Sequence, residues 1–79
     1  MRLDKYLKVS RIIKRRTVAN EACDAKHVLV NGKVARASYE VKEGDIIEIS
    51  LGSQTNRYEV ITVSEHATKE DAASMFRKV

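Results

Sequence analysis

The chain has 79 residues, of which 43% are hydrophobic and 33% charged, with a formal net charge of +4 at pH 7. A chain of this length supports one domain with a thin core and little room for a deep reaction chamber. It has no apolar run of about 18 residues for a membrane span, no apolar secretion signal, and one cysteine, Cys23, which fits a reducing compartment. We therefore expect a cytoplasmic protein with a single domain at residues 1–79 and no membrane partner.

The positive charge is concentrated at the N-terminal end. Residues 1–16 carry a net charge of +6 and residues 17–36 carry +1, whereas residues 37–63 carry −3 and the rest is neutral. Concentrated cations attract phosphate through Coulomb forces and counterion release. This end therefore predicts a surface for a polyanion. Its basic side chains are Arg2, Lys5, Lys8, Arg11, Lys14, Arg15 and Arg16, and its one acid is Asp4.

Two short helices are predicted first. Leu3 and Leu7 are four residues apart, which places them on one face of a helix that ends before a turn at residues 10–16. Asp4 is assigned a local role, holding a neighbouring lysine or capping this helix. Thr17 is a candidate N-cap for a second helix at residues 18–25. Its packing face is assigned to Val18, Ala19, Ala22 and Cys23.

A small antiparallel sheet and a last helix are predicted next. Asn31-Gly32 between two apolar segments favours a type I′ hairpin joining residues 28–30 to residues 33–34. Further strands are predicted at residues 46–51 and 57–63, separated by a loop at residues 52–56. Thr68, three residues before Asp71, predicts a capped helix with an apolar stripe of Ala72, Met75, Phe76 and Val79. The fold class is therefore α+β: two short N-terminal helices packed on a sheet of three to five strands, with a short C-terminal helix.

The sequence offers no set of residues for catalysis. It has no nucleophile with an adjacent base, no metal cluster and no glycine-rich phosphate loop. His27 and His66 are far apart and lack the spacing of metal ligands. Cys23 is expected to be a buried, inert thiol, and Tyr6 is expected in the core rather than stacked on a base. We predict a binding protein and not an enzyme, with no catalytic residue, no metal and no cofactor.

A series of residues in the N-terminal part of the chain follows a known pattern. In order, they are Arg2-Leu3-Asp4-Lys5, Leu7, Arg11, Lys14, Arg16, Ala19, the segment VLVNGKVA, Val41 and Gly44–Asp45. This series resembles the RNA-binding domain named after ribosomal protein S4. The shared features cover about residues 1–50, and residues 51–79 would extend this motif by a strand and the C-terminal helix. Among the members of that superfamily, the chain is most similar to the free-standing RqcP (YabO) group of bacteria.

The resemblance implies a role in ribosome-associated quality control. The protein would bind ribosomal RNA of the large subunit and tRNA on an obstructed subunit, and would support alanine tailing of the stalled chain. The nascent-chain tailing factor is a further candidate partner, and the free protein is expected to be a monomer. By matching positions, the primary RNA contacts are Arg2, Arg11, Lys14, Arg15 and Arg16, with weaker support from Lys5 and Lys8.

One position departs from the family pattern. The family usually has glycine where Lys26 stands, and glycine there would provide a left-handed C-cap for the second helix. A lysine in that conformation costs about 1 kcal/mol. Its charge, however, is favourable at a helix C-terminus.

Three other functions stay open at this point. A sister group, a small heat-shock protein that rescues free large subunits with bound nascent chains, shares the Arg-Leu-Asp-Lys opening. The same domain is often fused to pseudouridine synthases, so the chain could be an accessory that targets an RNA-modifying enzyme. A protein adaptor could instead use the acidic residues of the sheet, which are Glu40, Glu43, Asp45, Glu48 and Glu59.

Overall fold

The computed structural model describes residues 1–65 and 67–79, so the expectation for His66 lies outside the described residues. The described chain forms an antiparallel sheet with the strand order β2-β1-β3-β4-β5, together with three helices, which confirms the α+β prediction. No helix in the described ranges is long and apolar enough to span a bilayer. The elements are α1 (Leu3–Val9), α2 (Arg16–Asp24), β1 (Val28–Val30), β2 (Lys33–Val34), β3 (Ile46–Leu51), β4 (Gln54–Val60), α3 (Lys69–Ala73) and β5 (Phe76–Lys78).

The core lies between the two N-terminal helices and the sheet. Helix α1 contributes Leu3, Tyr6 and Leu7, which are fully buried, as the four-residue spacing predicts. Small residues of α2 allow that helix to approach α1 closely. Burying this surface is the main source of stability in so small a fold. The other members of the cluster include Ala19, Ala22, Cys23, Val28, Val30, Ile47, Ile49, Val60 and Met75.

Helix α2 begins earlier than predicted. Its first residue is Arg16 and its N-cap is Arg15, whose side chain makes no cap hydrogen bond, so the assignment of Thr17 as N-cap is wrong. The backbone N–H of Ala19 already bonds to the carbonyl of Arg15 at 3.1 Å. Val18 is also misassigned, because it is 45% exposed. It lies about 100° around the helix from the buried Ala19, at the margin of the apolar face.

The hairpin and the turn before β3 are joined by one side chain. Asn31 and Gly32 have φ angles of 54° and 84°, which confirms the predicted turn. The Asn31 amide donates to Oδ1 of Asp45 at 3.0 Å and accepts a hydrogen bond from the backbone N–H of Ile46, also at 3.0 Å. Asp45 is buried and also accepts from the Tyr39 hydroxyl at 3.0 Å. Asn31 therefore stabilises both its own turn and the entry to β3.

The C-terminal part contains a strand that the sequence did not predict. Thr68 caps α3 by accepting a hydrogen bond from the N–H of Asp71 at 3.2 Å, as predicted. The helix ends at Ala73, however, and β5 then pairs with β4, so the predicted stripe does not continue through Phe76 and Val79. The open edge of β4 provides backbone hydrogen bonds that stabilise this segment as a strand, although its apolar residues have helical spacing. Strand β4 itself begins at Gln54, within the predicted loop, and ends at Val60.

Candidate nucleic-acid interface

The carboxylate of Asp4 connects helices α1 and α2 and holds two arginines. Its Oδ1 accepts from Nε of Arg2 at 3.2 Å, and its Oδ2 accepts from Nε of Arg16 and Nδ2 of Asn20, both at 3.3 Å. The backbone N–H of Lys5 donates to Oδ1 at 2.8 Å. Nη2 of Arg2 also donates to Oδ2 at 3.5 Å. Asp4 is only 2% exposed, so these five hydrogen bonds replace the water that it has lost. Its role is therefore to join the two helices, which is more than the local role predicted for it.

The two arginines are fixed at one end and open at the other. Their side chains are 51% and 48% exposed although both Nε atoms contact the buried carboxylate of Asp4. A guanidinium has five N–H donors, and the Nη donors that do not contact Asp4 can form the two parallel bonds that bind a phosphate. Arg2 and Arg16 are thus positioned before any ligand arrives. We call Asp4, Arg2 and Arg16 the arginine clamp.

The charge state of Asp4 supports this arrangement. Burial alone would raise the pKa of the Asp4 carboxyl, but the hydrogen bonds from Arg2, Asn20 and Arg16, together with the charge of Arg16, lower the pKa below its ordinary value. The carboxylate is consequently ionised at neutral pH. An ionised acceptor roughly doubles the strength of each hydrogen bond from an arginine.

A groove extends from the arginine clamp along α2 to the chain that leaves the hairpin. Its volume is about 490 Å³, and its basic side chains are Arg2, Lys26 and Arg36. Asn20 and the exposed Asp24 also line it. Of these cations, Arg2 was a predicted contact, and the sequence leaves Arg36, like Lys33, equally open to extending the basic surface or to simple exposure. We call this the hairpin groove.

A second basic groove lies between the α1–α2 turn and the segment before α3. It has a volume of about 770 Å³ and contains Lys8, Arg11 and Lys14, which the sequence predicted as contacts. Lys69, which was not predicted, contributes a fourth cation, and Glu65 is the acid in the same wall. Lys69 comes from a segment with no net charge, so only the folded chain shows that it belongs here. We call this the turn groove.

The remaining predicted contacts are placed differently. Lys5 is half-buried and its Nζ lies 3.3 Å from Oε1 of Glu65, so part of its charge is already offset within the protein. Arg15 is exposed at the N-cap of α2. The seven predicted cations are therefore divided between the arginine clamp, the turn groove and these two positions. That they bind RNA stays a prediction.

The crowding of cations between the helices is electrostatically unfavourable for the isolated protein. Arg15 and Arg16 stand at the N-terminus of α2, where the helix dipole favours negative charge, and the first turn of α2 contains no acid. Arg11 has a φ of 64°, which is strained for a residue with a side chain. A phosphate backbone beside these cations would offset their mutual repulsion more directly than solvent screening does.

Two side chains that could have had other roles are structural. Tyr6 is fully buried and its hydroxyl donates to the carbonyl of Met75 at 2.8 Å, so it cannot stack on a base and the core prediction is confirmed. Burial raises the pKa of the Cys23 thiol to about 11, with Asp4 and Asp24 acting in the same direction. The thiol is therefore neutral, as expected for an inert cysteine. In the described ranges, no group of His, Cys, Asp and Glu is arranged to hold a metal ion.

Most acids of the sheet are already occupied. Glu48 accepts from Nε of Arg57 at 2.8 Å, and Glu59 accepts from Nη2 of Arg77 at 2.5 Å. Glu40 pairs with the N-terminal ammonium group, which lowers the pKa of its carboxyl. Asp45 is buried. These ion pairs leave little free negative charge for the adaptor hypothesis.

Comparison with known proteins identifies relatives of this chain. Residues 1–47 match the S4 domain family. A protein of Halalkalibacterium halodurans named RQC P-site tRNA stabilizing factor is 49% identical over 76 residues, which cover 96% of this chain and 86% of that protein. The protein of the same name from Streptococcus pneumoniae is 50% identical with the same coverage. Vibrio cholerae Heat Shock Protein 15, solved as a trimer, superimposes with a TM-score of 0.90 at 26% identity, covering 100% of this chain and 81% of that one.

Proposed function

The chain belongs to the S4 domain family, with relatives named RQC P-site tRNA stabilizing factor, and on this basis we propose that it is a non-enzymatic RNA-binding factor of ribosome-associated quality control. It binds tRNA and ribosomal RNA on the obstructed large subunit and supports C-terminal alanine tailing of the stalled nascent chain. Residues 1–79 act as one RNA-binding unit in the cytoplasm. The free protein is a monomer, and the tailing factor is its candidate protein partner.

The arginine clamp is the observation that carries this proposal. A flexible arginine loses side-chain entropy when it binds phosphate, and a positioned one loses less. Two guanidinium groups on one buried carboxylate can contact the same phosphate or two neighbouring phosphates of one strand. The cations of the two grooves extend this surface. Such a surface recognises folded RNA through its backbone and shape, with few contacts to bases.

This chemistry fits stabilisation rather than reaction. A factor that bridges tRNA and ribosomal RNA needs many phosphate contacts and a rigid body that separates them. The helix pair and the sheet provide the rigid body, and the clamp and grooves provide the contacts. Holding peptidyl-tRNA in place is then a matter of binding free energy alone.

A second candidate function is favoured by the likeness to Vibrio cholerae Heat Shock Protein 15. In that case the protein would recycle free large subunits, as the heat-shock sister group does. The sequence identity of 26% is well below the 49–50% shared with the RQC factors, which makes quality control the better-supported role. Targeting of an RNA-modifying enzyme has no comparable support.

The test is to purify the tagged protein from cells and image the particle that copurifies. We expect a large subunit carrying peptidyl-tRNA, with the arginine clamp against phosphates. A large subunit whose nascent chain carries no alanine tail would favour the heat-shock role, and a modification enzyme in ribosome-free extract would favour the accessory role. Arg16→Ala should reduce sedimentation with subunits, whereas Arg57→Ala, on β4, should not.

Salt dependence gives an independent test of the same proposal. If most of the N-terminal cations contact phosphates, the logarithm of the affinity should fall against the logarithm of salt concentration with a slope of about −4 to −6. Binding that resists salt and is unaffected by Arg16→Ala would contradict the proposal.

A further inference from the structure

Lys26 has a backbone conformation that normally requires glycine. Helix α2 ends at its cap Ala25, and Lys26 follows with a φ of 64°. The N–H of Lys26 bonds to the carbonyl of Cys23 at 3.0 Å, and the N–H of His27 bonds to the carbonyl of Ala22 at 2.9 Å. These two bonds form a Schellman motif, in which the left-handed position is usually glycine because a Cβ is strained there.

The lysine is strained but well placed. It lines the hairpin groove together with Arg2 and Arg36, and its side chain is exposed. Arg2 belongs both to this groove and to the arginine clamp, so it connects Arg16 to the cations of the groove. A glycine would relieve the strain and remove the central cation of this surface. Strain retained at a position that contributes to a surface is typical of a functional residue.

We propose that Lys26, with Arg2 and Arg36, forms an additional binding site for RNA backbone phosphate in the hairpin groove. This site rests on the proposed function, because it takes the RNA strand that the arginine clamp already holds and extends its path past the end of α2. Arg2 connects the two sites, and Lys26 and Arg36 bind the next phosphates. Lys26 does so through its compact ammonium group, and Arg36 through the parallel N–H donors of its guanidinium.

A structural role makes a different prediction. The charge of Lys26 lies at the C-terminus of α2, where it favours the helix dipole. If that were its only purpose, Lys26→Gly would change stability and leave RNA binding as it was. The proposed site instead predicts that Lys26→Gly raises thermal stability and weakens RNA binding, because the substitution relieves backbone strain and removes a phosphate contact.

The experiment measures binding to isolated large ribosomal subunits carrying peptidyl-tRNA, over a salt series, beside thermal unfolding of the free protein. We expect Lys26→Gly to raise Tm, to weaken binding about three- to tenfold, and to make the salt slope shallower by about 1. Lys26→Arg should bind as the wild type does. Lys42→Ala, which removes one charge from an exposed loop outside the grooves, should also leave binding unchanged.

The outcomes separate this inference from the proposed function. If Lys26→Gly binds with wild-type affinity and slope while Arg16→Ala binds weakly, the hairpin groove is not a phosphate site and the proposed function stands. If both variants bind as the wild type does, the proposed function fails as well. If Lys42→Ala weakens binding as much as Lys26→Gly, the effect is one of net charge and the site is overturned.

Discussion

The carboxylate of Asp4 lies 3.3 Å from Nε of Arg16, twelve residues later in the chain and on a different helix. The same carboxylate holds Nε of Arg2 at 3.2 Å. The negative charge of Asp4 thus lies within a surface proposed to bind a polyanion. Its benefit must come from positioning the arginines, because its own charge repels phosphate.

The first prediction concerns Asp4→Asn. Removing a negative charge would by itself strengthen RNA binding, but the loss of the ionised acceptor should free both arginines. We expect binding to large subunits to weaken about three- to tenfold, and stability to fall by about 1–3 kcal/mol because a buried hydrogen-bond network is disrupted. Sedimentation measures binding, at a temperature where thermal unfolding shows that the variant is folded.

Glu65→Gln is the matched control for this prediction. This substitution also removes one negative charge next to the basic surface. Glu65 pairs with Lys5, however, and does not position the arginines of the clamp. Binding should be unchanged or slightly tighter. If Asp4→Asn also tightens binding, the arginine clamp has no positioning role.

The second prediction is a pH dependence of stability. The fold lowers the pKa of the Asp4 carboxyl below its ordinary value of 3.8, so the unfolded chain takes up this proton at a higher pH than the folded chain. The contribution of Asp4 to stability is therefore complete at neutral pH and is lost as the pH falls through and below that ordinary value. Thermal unfolding from pH 7 down to about pH 2 should show this decline, with its onset at about pH 5.

The decline can be assigned by comparing variants. Asp4→Asn should make it shallower, because the substituted side chain does not titrate. Glu40→Gln should have a smaller effect, because the ion pair of Glu40 with the N-terminal ammonium group is exposed to solvent and salt. An equally steep decline in Asp4→Asn would show that other carboxyl groups cause it.

Local patterns in the sequence predicted the features that depend on neighbouring residues. The Asn31-Gly32 turn, the apolar spacing of α1 and the Thr68 cap each involve residues at most four positions apart. Strand β5 was missed because its pairing with β4 is a tertiary interaction that overrides the helical spacing of Met75 and Phe76.

The sequence proposed the cations of the candidate site but not their arrangement. The N-terminal charge and the family resemblance singled them out as candidate RNA contacts. The fold places five of the seven in the arginine clamp and the turn groove, and Lys5 and Arg15 lie outside both. Lys69 reaches the turn groove from a distant segment, and Asp4 reaches Arg16 across two helices. No spacing rule connects such pairs, because their proximity results from the packing of α1, α2 and the C-terminal segment.

The third prediction concerns Tyr6→Phe. The hydroxyl of Tyr6 donates to the carbonyl of Met75, which also accepts from the N–H groups of Ile61 and Thr62. Because the carbonyl keeps these partners, we expect a loss of only about 1 kcal/mol. In a domain of this size that lowers Tm by about 4–8 °C. RNA binding below the transition should stay at the wild-type level, and weaker binding with an unchanged melt would instead indicate stacking on RNA.

The last prediction concerns Arg15→Ser at the N-cap of α2. Arg15 has extended backbone angles and provides no cap bond, so a serine hydroxyl there can accept from the free N–H groups of the first turn. Stability should rise by about 1 kcal/mol, helped by the removal of a cation from the positive end of the helix dipole. RNA binding should weaken, with a salt slope shallower by about 1, because one phosphate contact is lost. The matched control is Arg57→Ser, which removes the same charge from β4 and should leave binding unchanged. If Arg15→Ser binds as tightly as the wild type or more tightly, Arg15 does not face the RNA.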